Sequence, residues 1–121
     1  MTLLLSVFLG VQAQTSGPVA KWETTTVDYG SITQGSDGTR EFIVTNTGNA
    51  PLIISNATGS CGCTVPSWPK EPILPGKKAA LKVHYDTNRL GSFTKTVTVV
   101  SNAANNTDVL QIKGNVLPKS N

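Results

Sequence analysis

The only two cysteines of this chain, Cys61 and Cys63, are separated by a single glycine, Gly62. Thiols so spaced support three chemistries: closure of a small disulfide ring, chelation of a soft metal, or two separate side chains. A bridge requires Cα atoms about 4.4–6.8 Å apart. A bent three-residue segment reaches that, and Gly62 lets the backbone bend freely. The loop closed is so short that its chain-entropy benefit is small. The ring is also strained, and strained exposed bridges are the more easily reduced ones. A Cys61–Cys63 bridge would therefore fix a local turn or be redox-active.

The surrounding residues weigh on each alternative. Thiol exchange needs a lowered thiol pKa, supplied by a helix N-terminus or a nearby cation. The nearest cation along the chain is Lys70, and the spacing is not Cys-x-x-Cys. Zinc normally takes four ligands, and only His84, the single histidine, could join two thiolates without recruiting carboxylates. Two thiolates alone suit Cu(I). Thiol redox or copper binding through Cys61 and Cys63 thus stands as the alternative to a bridge, and no cofactor or metal is assigned. His84 alternates against Leu81, Val83 and Tyr85, so its imidazole is expected to face solvent. With one histidine and no nucleophile motif around any serine, a catalytic triad has no support. Seven scattered acids likewise define no glycosidase pair. The expectation is a non-enzymatic protein.

Beyond the cysteines, Pro66, Pro69, Pro72 and Pro75 brace a loop that contains Trp68. Prolines at this density exclude a helix and a central strand. Trp68 in a pre-ordered loop could anchor a partner with little entropy lost on docking. The competing reading is that Trp68 caps the open end of a core.

These residues need a scaffold, and the chain offers short alternating strands. Ala20 to Thr26, with Trp22 as anchor, reads as an edge strand kinked around Asp28-Tyr29-Gly30. From Thr39 to Asn46, Phe42 and Val44 share one face while Glu41, Ile43 and Thr45 share the other. Asn46-Thr47-Gly48-Asn49 contains residues that accept a positive φ, so a reversal is expected there. Pro51 opens a strand, Leu52 to Asn56, that runs into the cysteines. Pro75-Gly76 marks a turn before Lys77 to Asp86, with Ala79, Leu81, Val83 and Tyr85 in phase. Ser92 to Ser101 and Asp108 to Val116 complete the set, the first carrying Phe93, Val97 and Val99 on its apolar face. No stretch sustains a 3.6-residue period. The prediction is an all-β, immunoglobulin-like antiparallel β-sandwich of about seven strands.

Residues 1–13 are expected to be a signal peptide. Leu3 to Gly10 is apolar but too short to span a bilayer, and Val11-Gln12-Ala13 places small residues where a signal peptidase reads. Residues 14–19 follow as a flexible arm, 20–117 as the domain and 118–121 as a tail. Export favours a bridged cysteine pair. No later apolar run is long enough for a membrane span. The net charge of +3 is spread over scattered basic residues, Lys77-Lys78 being the one adjacent pair. Nucleic-acid binding calls for basic stripes interleaved with aromatics, so nucleic acid is not the expected partner.

The order of motifs then points to a family. Phe42-Ile43-Val44-Thr45-Asn46-Thr47-Gly48, Pro51-Leu52-Ile53-Ile54, Ser60-Cys61-Gly62-Cys63-Thr64, Pro75-Gly76, Val83-His84-Tyr85-Asp86-Thr87 and Gly91-Ser92-Phe93 together resemble a bacterial family of secreted domains of unknown function. That family carries a Cys-Gly-Cys-Thr signature and is similar to immunoglobulin-like domains of the major sperm protein and ASPM/SPD-2/Hydin type. The resemblance runs from about Val27 to Val116 and implies the sandwich and the secreted location. It brings no established activity, and by fold analogy implies protein binding. The sequons Asn56-Ala57-Thr58 and Asn105-Asn106-Thr107 matter only in a eukaryotic secretory path, and the resemblance to a bacterial family implies that they are chance matches. The expected role is a secreted or periplasmic module that binds another envelope or surface protein. Its candidate contact residues are Trp68, Cys61, Cys63 and Thr64.

Overall fold

The structure is a computed structural model that describes residues 17–120. The expected leader and the start of the arm lie outside the described residues. Eight strands follow one another: β1 Ala20–Trp22, β2 Thr26–Thr33, β3 Thr39–Asn46, β4 Ile54–Gly59, β5 Thr64–Ser67, β6 Lys78–Tyr85, β7 Gly91–Ser101 and β8 Thr107–Leu117. They form two four-stranded sheets, ordered β1-β3-β6-β5 and β2-β8-β7-β4. Among the described residues there is no helix.

The alternation read from the sequence sets the two inner faces. Phe42, Val44, Leu81 and Val83 from one sheet meet Val97, Leu110 and Ile112 from the other, all without exposed surface. Each such side chain contributes roughly 1.5–3 kcal/mol relative to exposure. At one end of the core, the Tyr85 and Phe93 rings stack with centroids 3.8 Å apart, and Tyr29 meets Phe93 edge-on at 5.3 Å. The Tyr29 hydroxyl donates to the Gly38 carbonyl at 2.7 Å, and the Arg40 guanidinium lies over the Tyr29 ring. Burial pushes the Tyr29 phenol up to about 12, against the opposing pull of Arg40.

Eight strands replace the expected seven or so: the N-terminal segment is divided between the sheets, and Thr64–Ser67, at the start of the proline segment read as a loop, forms an edge strand. β1 pairs antiparallel with β3, and β2 then crosses to pair parallel with β8. The β2–β8 register shifts between Asp28 and Ser31, where Gly30 takes φ 68°. The kink expected at this place is therefore a bulge in an edge strand.

Two local expectations are corrected. Asn46-Thr47-Gly48-Asn49 contains no positive φ. Gly48 is there because a Cβ would overlap the carbonyl oxygen of Gly17. Asn46 is fully buried and serves as a hydrogen-bonding hub for its surroundings. The strand expected at Leu52 begins only at Ile54, since Leu52 bridges to Ile73 in the proline loop.

Candidate functional site

Thr58 and Gly59 end β4 in one sheet, and Thr64 begins β5 in the other. Ser60 to Cys63 is thus the turn by which the chain changes sheets along one lateral edge of the sandwich. Both sides of the turn are held. The Ser60 N–H donates to the Thr96 carbonyl at 2.8 Å, and the Thr96 N–H donates to Ser60 Oγ at 3.1 Å. On the far side, the Asp86 N–H donates to the Cys63 carbonyl at 2.9 Å. That bond fixes the antiparallel ladder beyond it, so the ring nitrogen of Pro66 faces away from β6. A proline therefore fits in β5, because β5 is an edge strand and no ladder bond is lost. The same edge is closed lower down by the reciprocal bonds between Leu52 and Ile73.

The turn brings the two sulfurs against one another, with Cα atoms 5.2 Å apart. Gly62 is not what makes this possible. Its φ is not positive, and a Cβ there would meet open space. The glycine the turn requires is Gly59, where a Cβ would overlap the Thr64 carbonyl oxygen. The Cys63 N–H donates to Cys61 Sγ at 3.2 Å, and the Thr64 N–H donates to the Cys61 carbonyl at 3.2 Å. Cys63 is buried and Cys61 is partly exposed. The Thr64 hydroxyl lies 3.7 Å from each sulfur.

Cys61, Cys63 and Thr64 are therefore one cluster. Trp68 is apart from them, one residue past the end of β5. Its ring is partly buried against the core, with Nε1 buried and lacking an acceptor among the described residues. The Lys70 ammonium stands 3.4 Å from the ring centroid, a cation–π contact that sequence reading missed, although the two-residue spacing was visible. His84 is exposed on the outer face of its sheet, cross-strand from Val65, with Nδ1 3.1 Å from Thr39 Oγ1. Among the described residues no three His, Cys, Asp or Glu side chains converge on a metal position. No helix of the described residues is long and apolar enough to cross a membrane.

Two twisted sheets exchanging strands at both lateral edges define an immunoglobulin-like sandwich. The chain belongs to the family described as protein of unknown function (DUF1573), which it matches over residues 20–116. No curated protein matches the sequence. Among solved structures, the chain is similar to a protein of unknown function from Porphyromonas gingivalis, with a TM-score of 0.73 and 18% identity, over 85% of this chain and 50% of that one. The chain thus spans about half the length of that relative. It is similar to the ASH/PapD-like domain 7 of human CEP192, with a TM-score of 0.67 and 11% identity, over 96% of this chain and 99% of that one. It is also similar to the CsuC–CsuE chaperone–tip adhesion subunit pre-assembly complex of Acinetobacter baumannii, with a TM-score of 0.59 and 11% identity, over 81% of this chain and 57% of that one. At these identities the likeness establishes the fold: an immunoglobulin-like, PapD-like sandwich.

Proposed function

We propose that the chain is an exported, non-enzymatic β-sandwich module that binds another protein of the bacterial envelope or surface through the segment from Gly59 to Pro75. The observation that carries this reading is the state of Trp68. Its buried indole N–H has no acceptor among the described residues, and the Lys70 ammonium stands over its ring. On the same proline-braced segment, Val65 is 55% exposed and Leu74 is 53% exposed. Displacing Lys70 would uncover the aromatic face that its ammonium now covers. Aromatic anchors in rigid surroundings are the usual centres of protein interfaces. The complex of a chaperone with a tip adhesion subunit among the similar folds supports a protein as the ligand.

The test is crosslinking of the tagged full chain in a bacterial host, alongside a Val65→Asp/Leu74→Asp variant with unchanged circular dichroism. The reading expects a defined crosslinked protein with the wild-type chain, in the envelope fraction, and its loss in the variant. The intact mass should correspond to a chain starting at Gln14. Retention of the same crosslink by the variant removes the segment as the contact, and a mass starting at Met1 removes export.

A further inference from the structure

Thr64 is only 2% exposed, and among the described residues its hydroxyl has no hydrogen-bond partners except the two sulfurs. A buried hydroxyl without a good acceptor is destabilising. A disulfide or thiol sulfur is a weak acceptor, whereas a thiolate carries the charge that strengthens such a bond. The donor is thus poorly served while the cysteines are bridged and well served once a thiolate is present. The Cys63 N–H, 3.2 Å from Cys61 Sγ, is a second donor aimed at the pair. These two groups supply donors that the chain order does not, since the nearest cation in sequence is Lys70 and the described residues contain no helix.

The sulfurs also differ in access. Cys63 is 6% exposed, while Cys61 is partly exposed at the turn. An incoming thiolate must approach along the S–S axis, and of the two residues Cys61 is the more exposed. We propose that Cys61 and Cys63 form a dithiol–disulfide exchange site, in which Cys61 takes the incoming thiol and the Thr64 hydroxyl stabilises the departing Cys63 thiolate. The reaction partner is a dithiol, either small or carried by another protein. Its first thiolate forms a bond to Cys61 Sγ. The Cys61–Cys63 bond breaks, and its electron pair leaves on Cys63 Sγ. The second thiolate of the dithiol then attacks its own sulfur in the mixed disulfide and releases the Cys61 thiolate. Two electrons and two protons pass to the cysteine pair, and the dithiol becomes a disulfide. The reverse sequence oxidises the pair.

The experiment uses the oxidised, folded chain and needs no binding partner, so its outcome is independent of the protein-binding reading. Dithiothreitol is added without denaturant, and samples are quenched with iodoacetamide and mapped by peptide mass. The expectation is full reduction with the circular dichroism unchanged, and alkylation of Cys61 at least tenfold faster than of Cys63. Reduction that occurs only in denaturant, or labelling that favours Cys63 or neither, overturns the proposal. The role of Thr64 is tested in Cys61→Ser protein, where the Cys63 thiolate is followed by its absorbance near 240 nm. Adding Thr64→Val should raise the pH at which the thiolate appears by about one unit. In the two-cysteine chain, Thr64→Val should shift the equilibrium with glutathione at least threefold towards the bridged form. An unchanged titration and equilibrium would remove Thr64 from the site, because a purely structural threonine would alter only stability.

Discussion

Asn46 Nδ2 donates to the Ile73 carbonyl oxygen at 2.8 Å, joining the end of β3 to the proline loop across 27 residues. The same amide donates to the Ala50 carbonyl at 2.8 Å, while Oδ1 accepts from the N–H groups of Gly48 at 2.9 Å and Val19 at 3.3 Å. One fully buried side chain therefore satisfies backbone groups from three segments. Asn46→Ala leaves several of them unpaired at about 1–3 kcal/mol for each buried group. The expected loss is about 3 kcal/mol, measured by urea unfolding at unchanged slope. A loss below about 1 kcal/mol would refute the role.

The two glycines beside the cysteines should respond in opposite ways. Gly59→Ala drives a Cβ into the Thr64 carbonyl oxygen, so β4 and β5 must separate at the turn. A destabilisation of about 3 kcal/mol or more is expected, in the range of severe packing changes. Gly62→Ala places its methyl group in open space at a permitted φ, and its effect should stay within about 0.5 kcal/mol. Thermal unfolding of both variants decides the matter, and a severe Gly62→Ala phenotype would contradict the geometry.

Trp22 and Asp108 tie the first strand of one sheet to the last strand of the other, through an Nε1–H donated to Oδ2 at 3.0 Å. Trp22→Phe keeps most of the apolar surface and removes the donor. Bonds to charged groups contribute about 1.5–3 kcal/mol, and partial exposure places this one near the lower figure. The Asp108→Asn/Trp22→Phe pair should be non-additive in a double-mutant cycle. Simple additivity would show that the contact contributes nothing to the fold.

Tyr29 makes the stability depend on alkaline pH. Its phenol is raised from 10.0 to about 12 by burial. The folded state therefore holds its proton where the unfolded chain has released it. The resulting stabilisation is complete below pH about 10 and is lost as pH rises through about 12. Tyr29→Phe removes this dependence together with the bond to the Gly38 carbonyl, at a cost of about 1 kcal/mol near neutrality. The stability gap between wild type and variant should narrow as pH rises from about 10 to about 12, and a constant gap would exclude the titration.

At the cysteines the sequence was legible where the information was local. The one-residue spacing of Cys61 and Cys63 permitted their sulfurs to meet, and the sulfurs do meet. It did not reveal that Thr64 points its hydroxyl between them, because Thr64 is turned inward only by pairing with Tyr85 across β5 and β6. Nor did it separate the roles of Gly59 and Gly62, since a close approach between two edge strands leaves no mark on either glycine.

The sequence by itself determined which side chains of β3, β6 and β7 form the core. A strand alternates its side chains with a period of two, so Phe42 and Val44, Leu81 and Val83, and Val97 and Val99 declare their face within a few residues. Only the tertiary structure decided that β1 and β2 belong to different sheets, that β2 runs parallel to β8, and that Asn46 is a buried hub rather than a turn residue. These features depend on which backbone groups find partners tens of residues away. The great majority of buried backbone N–H and C=O groups in folded proteins are paired, and here the partners come from distant segments rather than from any local one.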